Sequence, residues 1–196
     1  MNANNDPRIF VYGENLVGQV KPLSYGSSTA RNIPGVYSRI GATLQADDTE
    51  VPIFTNAQVQ FAKAEGVIEG LTTGDAALLY NEGIKASWQF WGVYDEATYT
   101  AFIADPDIAY NPATGLQKII TQKWVHQFLN GFEAWTDWRR TGFPVLAPAE
   151  DQIDSRGIPL RQSYPSTASA LNEAGYKAAV ARQGSDENYT PVWWDK

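Results

Sequence analysis

The sequence contains no cysteine and a single histidine among its 196 residues. The lack of cysteine excludes disulfides, thiolate nucleophiles and thiolate metal sites, and also a cysteine within this chain that could accept a lipid. His126 is the one possible imidazole base, and it lies in a helical pattern among Gln and Phe with no nucleophile motif nearby. We therefore expect His126 to be a packing residue and predict no catalytic residues.

Clustered positive charge and long apolar runs are also missing. Lys and Arg total 15 against 22 Asp and Glu, which gives a net charge of -7 at pH 7. Scattered basic residues form no stripe that could neutralise a phosphate backbone, so nucleic acid is not an expected partner. Nowhere are there 18 consecutive apolar residues, and the N-terminus shows no charged region followed by an apolar one. We expect the chain as given neither to enter nor to span a membrane.

Loops that bind calcium or phosphate are not found either. The acidic stretch QADDTE at 45–50 lacks the glycine and the terminal glutamate of a calcium loop, and no Gly-rich phosphate loop occurs. His and Cys do not occur at metal-ligand spacing. We predict no metal site and no cofactor.

Aromatic residues, by contrast, are abundant at 13% of the chain, with seven Trp and ten Tyr. One group has helical spacing and is expected to pack in the core: Trp88, Trp91, Trp124, Trp135 and Trp138. A second group lies in loops beside Asn, Gln, Asp and Ser. A flat ring suits the apolar face of a sugar and neighbouring polar groups suit its hydroxyls, although a loop anchored in a core has the same composition. The candidate binding residues are Tyr12, Tyr25, Tyr37 and Trp193.

Helical patterns start after a loop-rich beginning. Residues 1–50 show no sustained period, with short extended pieces expected at 9–12 and 37–40. A helix is predicted from Thr55, with Gln58 completing a capping box, and a second helix opens at the Thr72 and Asp75 pair. This helical hairpin at 55–91 resembles one degenerate tetratricopeptide unit.

The second half of the chain contains the strongest helical signal. A short helix is expected near 96–104, and a long helix is predicted from Thr114, capped by Gln117, to Arg139 and Arg140, where Gly142 ends it. Asp137 and Arg140 are spaced to form an ion pair. Truncation of a buried Trp135 to Ala is expected to cost about 3–5 kcal/mol. One further helix is expected at 167–183.

Four stretches carry a resemblance to a known family. They are NDPRI at 5–9, AQVQFAKAEGVIEG followed by YNEGIKASWQFWGV, QKWVHQFLNGFEAWTDWRRTGFPVL, and IPLRQSYPSTASALN continuing to VWWDK. In this order they resemble the C-terminal half of SusD/RagB-like nutrient-binding outer-membrane lipoproteins of Bacteroidota. The resemblance covers nearly the whole chain from about Asp6 onward.

The resemblance implies a mainly α fold: a tetratricopeptide-like helical hairpin plus a long helix, with extensive irregular loops. It divides the chain into a loop-rich segment (1–54), the helix pair (55–91) and a long helix with a loop-rich C-terminal part (92–196), all within one domain. We expect this domain to be part of a larger SusD-like protein whose lipid anchor is absent from this chain.

The implied function is non-enzymatic. A cell-surface protein of the outer membrane would bind a glycan or other nutrient and deliver it to a SusC-like TonB-dependent transporter. The alternative is a helical scaffold that docks a partner without binding sugar, and it predicts an exposed apolar patch along the hairpin. A glycoside hydrolase would need two carboxylates facing each other across a cleft, and nothing in the sequence supports that arrangement.

Overall fold

The computed structural model describes residues 5–29, 31 and 33–195 and is mainly helical, which confirms the expected fold class. Its helices are α1 (Ile9–Tyr12), α2 (Asn56–Ile68), α3 (Ala76–Phe90), α4 (Glu96–Ala104), α5 (Gly115–His126), α6 (Gly131–Thr141), α7 (Ala168–Leu171) and α8 (Glu173–Gln183). Short 3-10 turns occur at Ala42–Gln45 and Pro112–Thr114. Within these described ranges, β structure is limited to isolated bridges, and no helix combines the length and apolarity needed to cross a bilayer.

The hairpin of α2 and α3 begins with well-formed caps. The predicted capping box is present: the Thr55 hydroxyl accepts from the backbone N–H of Gln58, and the Gln58 side chain accepts from that of Thr55. Helix α3 is capped by Asp75, whose carboxylate accepts from the N–H groups of Ala77 and Leu78 at 2.9 and 3.1 Å. Each cap satisfies backbone donors that lack a partner within the helix.

The core lies between α2, α3, α4 and α5. Gly83 allows α3 to approach α2 closely, since a Cβ at this position would lie 2.5 Å from the ring of Phe61. Trp88 is fully buried and meets Tyr99 and Phe102 of α4 at ring-centroid distances of 5.9 and 4.9 Å. These aromatic contacts fix α4 against the hairpin.

The long helix predicted from Thr114 onward is in fact two helices. Helix α5 ends at His126 and α6 begins at Gly131. In the connection Leu129 has a φ of 71°, in the left-handed region that interrupts a right-handed helix. The chain therefore leaves helical geometry inside the stretch predicted as one helix, just before Asn130 and Gly131, which are a common turn-forming pair.

The two ends of this helical region differ in how well the sequence predicts them. The Thr114 cap does not form, because Thr114 ends a 3-10 turn that Asn111 caps instead. At the other end Gly142 has a φ of 74° and its N–H donates to the Trp138 carbonyl, as the sequence predicts for a left-handed cap.

The N-terminal part also departs from expectation at one point. Residues 9–12 form the helical turn α1 rather than an extended piece, since N–H groups of this turn donate back to the carbonyls of Asp6, Pro7 and Arg8. The following loop returns to α1, where the Gly41 N–H donates to the Tyr12 carbonyl. Gly41 is required there, because a Cβ would lie 1.9 Å from the Val11 carbonyl oxygen.

The C-terminal helix predicted at 167–183 is divided into α7 and α8 at Asn172. Asn172 lies outside helical geometry and its side chain caps α8 by accepting from the Gly175 N–H at 3.2 Å. An Asn that satisfies a helix start competes with helix continuation, which explains the break.

Candidate functional site: an aromatic groove beside a buried polar network

Arg8 is 0% exposed although it carries a charge. Its guanidinium makes a two-pronged ion pair with Asp6, with nitrogen–oxygen distances of 2.6 and 3.0 Å. Two further donors reach Ser87 Oγ at 2.9 Å and Gln122 Oε1 at 2.6 Å. A buried charge is tolerated when it is paired and hydrogen-bonded in this way. The network therefore fixes residues 6–8 onto α3 and α5.

His126 extends this network toward the start of α2. Its Nδ1 lies 3.0 Å from Ser87 Oγ and its Nε2 lies 2.7 Å from Thr55 Oγ1. Ser87 Oγ accepts from Arg8, so the Ser87 proton can be donated to Nδ1. The ring proton then sits on Nε2 and is donated to Thr55, whose hydroxyl can donate to Gln58 Oε1 at 3.1 Å. In this arrangement a neutral imidazole satisfies both contacts.

The surroundings of His126 favour the same neutral form. Burial, assisted by the positive charge of Arg8, lowers the pKa of His126 to about 4. The ring is enclosed between α2, α3 and α5, with Phe90 and Trp91 against its face or edge. The arrangement is that of a structural residue that links three helices.

A large open groove lies on the other side of α1. Its volume is about 1130 Å³, and its walls come from residues 9–40, from α5 and α6, and from Leu146 and Ile158. Six aromatic side chains line it: Tyr12, Tyr25, Trp124, Phe128, Trp135 and Trp138. Among the described residues that line the groove there is no Asp or Glu. Such a surface can stack on flat apolar faces but offers no carboxylate for acid–base chemistry.

Tyr12 joins the network side of α1 to the groove. Its ring stacks on Phe128 at a centroid distance of 4.3 Å and meets Trp91 edge-on at 4.9 Å. Its hydroxyl donates to the Val125 carbonyl at 2.9 Å, and burial raises the pKa of this hydroxyl above its usual value. Tyr12 is thus a buried wall residue whose contacts hold α1 against α5.

Trp124 is a correction to the predicted core. It is 37% exposed and lines the groove. The sequence reading follows steps of four residues from Leu116 through Ile120 to Trp124, and each such step rotates about 40° around the helix. After two steps the series has left the face of α5 that packs against the hairpin, so the indole lies at the edge of the core.

Trp135 is half-buried rather than fully buried. Its Nε1 donates to the Pro159 carbonyl at 3.1 Å, and the guanidinium carbon of Arg139 lies 3.7 Å from the ring centroid. The other side of Arg139 faces Trp194, 4.6 Å from that ring centroid. Trp194 near the C-terminus is therefore attached to α6, because the Arg139 guanidinium contacts the indoles of both Trp135 and Trp194.

Helices α5 and α6 are joined by Asp137, which keeps the groove wall in place. Its carboxylate accepts from Lys123 at 3.0 Å, from Gln127 at 3.1 Å and from Arg140 at 3.0 Å. The predicted Asp137–Arg140 ion pair is confirmed, and Arg140 also reaches Glu65 of α2. The charged residues of this stretch thus have a structural role.

The loop that carries Tyr25 is fixed by polar contacts at the groove rim. Ser24 Oγ donates to Glu150 at 2.5 Å, and Asp151 accepts from the N–H and hydroxyl of Ser28 at 2.6 and 2.7 Å. These bonds place the phenol of Tyr25, which is 86% exposed, over the groove. These hydroxyl and carboxylate groups are bonded to each other and are not among the residues that line the groove.

The four aromatic residues proposed from the sequence fall in different places. Tyr12 and Tyr25 line the groove, Tyr12 as a buried wall and Tyr25 as an exposed ring. Tyr37 is half-buried in a loop bridge with Pro34 and does not line the groove. Trp193 is 84% exposed and lies outside the groove lining. The binding role of all four stays a prediction.

The sequence pattern places Trp124, Phe128 and Trp138 on or near one helical face, and none of the three is predicted to bind a ligand. A usable signal exists for two of these groove residues, since Trp124 and Phe128 are four residues apart on one side of α5. The pattern does not predict that residues 20–25 and 38–40 face this side of α5 across an open groove.

A large, mostly apolar groove with a few polar groups is the kind of surface at which proteins bind ligands. The sequence profile of the family described as "SusD-like_2: Starch-binding associating with outer membrane" matches residues 1–165. The chain belongs to this SusD-like family. A search of curated proteins gave no match.

Solved structures of SusD homologues resemble the whole chain. A chitin-binding SusD homologue from Flavobacterium johnsoniae is 29% identical with a TM-score of 0.83, covering 100% of this chain and 48% of its own. A SusD homologue from Parabacteroides distasonis is 26% identical with a TM-score of 0.79, covering 97% and 44%. One from Bacteroides vulgatus is 26% identical with a TM-score of 0.78, covering 100% and 47%. The chain spans about half the length of these structures.

Proposed function

We propose that this protein binds a glycan in the aromatic groove between residues 9–40 and helices α5 and α6. The observation that carries the proposal is the groove itself, in which six aromatic side chains line one open surface of a SusD-like chain. Aromatic rings stack on the C–H faces of pyranose units, and Ser38 and Arg39 among the lining residues carry polar groups for the ligand hydroxyls.

The chemistry of the groove favours an uncharged glycan with apolar substituents. Side-chain polar groups among the lining residues are few: Ser38, Arg39, Gln127 and the Tyr25 hydroxyl, together with the indole N–H groups. N-acetyl methyl groups would fit such a surface better than carboxylates or sulfates, which the net charge of -7 also disfavours. A chito-oligosaccharide is therefore the first ligand to test, in keeping with the chitin-binding relative.

The cellular role follows from the family. The family description places its members with the outer membrane, and this supports a protein at the cell surface. Within that setting we propose lipid anchoring of the full-length form and delivery of the bound glycan to a SusC-like TonB-dependent transporter. The absence of Asp and Glu from the described groove lining supports capture without hydrolysis.

Isothermal titration with chitohexaose and with maltohexaose tests the groove. We expect metal-independent binding of chitohexaose that weakens by about tenfold or more in Tyr25→Ala, because one stacking ring is lost. The matched control is Phe132→Ala, which removes an equally exposed aromatic outside the groove lining. Tyr37→Ala and Trp193→Ala test the two predicted binding residues that lie outside the groove lining.

Three results would change the proposal. If Tyr25→Ala and Trp193→Ala lose glycan affinity equally, the glycan site is not confined to the groove. Cleavage products after prolonged incubation with the glycan would contradict a purely binding role. No binding of any glycan would favour the scaffold alternative, for which Leu71 and Leu78 of the hairpin region are the exposed apolar residues to mutate.

A further inference from the structure

A second cavity lies closer to the N-terminal end of α5 than the aromatic groove does. It has a volume of about 520 Å³ and is bounded by α5 and by the turn at 106–111, with Asp6 among its lining residues. Val125 is the residue that lines both cavities. The two cavities differ in chemistry, since polar side chains dominate the α5 wall of this cleft.

The α5 wall is a stripe of polar residues at helical spacing. Thr114, Gln117 and Thr121 recur at intervals of three and four residues, so they lie on one side of the helix. In the part of the chain that the structure describes, the side chains of Gln117 and Thr121 make no hydrogen bond. They are free to contact a ligand without breaking an existing contact.

The floor of the cleft contains a buried amide with an unused donor. Gln122 is 5% exposed, and its Oε1 accepts from Arg8 at 2.6 Å, which fixes the orientation of the amide. Its Nε2 has no partner among the described residues, yet it is not one of the polar atoms sealed from solvent. Because Gln122 lines the cleft, these N–H groups open into it. The donor is held in position by the same bond that holds Arg8.

The outer wall is also fixed before any ligand arrives. The Lys118 ammonium donates to the carbonyls of Pro106 and Asp107, which attaches the turn to α5. The Asp107 carboxylate is left exposed as an acceptor. Ile108 and Val125 add an apolar surface between the polar groups. Convergent polar groups around an apolar surface, in a volume of a few hundred Å³, are typical of small-molecule sites.

We propose that this cleft is a second binding site, which takes a small uncharged polyhydroxylated ligand such as a mono- or disaccharide. The Gln122 amide donates to a ligand oxygen, the Asp107 carboxylate accepts from a hydroxyl, and Thr121 and Gln117 can do either. The Asp107 carboxylate and the Lys118 ammonium carry opposite charges and Asp6 is paired with Arg8, so the cleft suits an uncharged ligand. The proposal is independent of glycan binding in the groove.

Titration of ¹⁵N-labelled protein with N-acetylglucosamine and with N,N′-diacetylchitobiose tests the cleft. We expect saturable shifts of the Gln122 side-chain amide resonances and of the backbone resonances at 117–122. In the double variant Gln117→Met with Thr121→Val the dissociation constant should rise at least about fivefold, because hydrogen bonds to the ligand are lost. Gln89 is an exposed residue of α3. Its replacement in Gln89→Met is the matched control and should leave the dissociation constant unchanged.

The outcomes separate the cleft from the groove. Unshifted Gln122 amide resonances, or shifts that persist undiminished in the double variant, would overturn the proposal. Tyr25→Ala should leave the cleft titration unchanged, since Tyr25 lines the groove alone. If chitohexaose does not bind the groove, the Gln122 amide resonances should still shift with the small sugars. If those resonances do not shift, chitohexaose should still bind the groove.

Discussion

The polar network around Arg8 and the aromatic groove beside it show opposite distributions of side chains. On one side of α1, the buried charges of Arg8 and Asp6 are paired, and Ser87 and Gln122 accept from the Arg8 guanidinium. On the other side, aromatic rings remain open to solvent across a volume of about 1130 Å³. Burying charge and exposing aromatic surface both carry a cost, so each needs a separate explanation.

The short segment from Asp6 to Tyr12 explains how the two regions are related. Arg8 and Asp6 belong to the network, while Ile9 and Tyr12 line the groove. The ion pair and its hydrogen bonds to α3 and α5 therefore fix the backbone that presents one groove wall. The network provides stability and position, and the groove provides the surface that a ligand can use. Variants in the two regions should separate these roles.

The largest expected effect is the loss of Arg8. In Arg8→Met the Asp6 carboxylate stays buried without its partner, and we expect the free energy of unfolding to fall by about 3–5 kcal/mol. Urea denaturation followed by circular dichroism measures this change. Arg39→Met, which changes an exposed arginine of the groove, is the control and should cost less than about 0.5 kcal/mol. Similar costs for the two variants would show that the network does not stabilise the fold.

The next effect is the pH dependence contributed by His126. Its pKa of about 4 in the folded protein lies below the ordinary value of 6.5, so the unfolded chain binds more protons between these values. Stability from this group is complete above pH 6.5 and is lost as the pH falls toward 4, by roughly 3 kcal/mol in total.

The measurement compares unfolding free energies of the wild type and His126→Gln from pH 7.5 to pH 4. The variant should be less stable at neutral pH but should show a shallower decline on acidification. Parallel curves for the two proteins would mean that His126 is not held neutral in the fold.

A smaller effect is expected for Trp135 at the boundary between the two regions. The indole is half-buried against Arg139 and Pro159, so Trp135→Ala should cost about 2 kcal/mol rather than the 3–5 kcal/mol of a fully buried indole. Thermal unfolding measures the change, and the exposed Phe132→Ala on the same helix is the control. If Trp135→Ala lowers the unfolding free energy no more than Phe132→Ala does, the Trp135 indole does not contribute to packing.

The sequence predicts those parts of the fold that depend on local signals. The capping box at Thr55 and Gln58, the end of α6 at Gly142 and the Asp137–Arg140 pair all follow from residue types at fixed short spacing. The division of the chain at 54 and 91 stays a prediction.

Features that depend on distant contacts are not predictable in this way. The break at Leu129 has a local signal in the turn-forming pair Asn130 and Gly131 that follows it, but the burial of Arg8 depends on Ser87 and Gln122, far along the chain. Likewise, Trp124 has core spacing but lies in the groove, because the face of α5 that is covered depends on which helices pack against it. Tertiary context decides these positions, and local propensity does not.

Tyr25→Ala has the smallest expected effect on stability. It therefore separates the binding role of the groove most clearly from the stabilising role of the polar network. The phenol is 86% exposed, and the hydrogen bond of Tyr25 in the described part of the chain is made by its backbone, where the carbonyl accepts from the Glu150 N–H at 3.2 Å. Its removal should change the unfolding free energy by less than about 0.5 kcal/mol. Chemical denaturation of the same samples used for glycan titration measures this directly. A loss of stability as large as that of Trp135→Ala would mean that Tyr25 packs against the groove and that reduced glycan binding reports unfolding. An unchanged stability together with weaker binding would assign the exposed ring to the ligand, because nothing else in the fold depends on it.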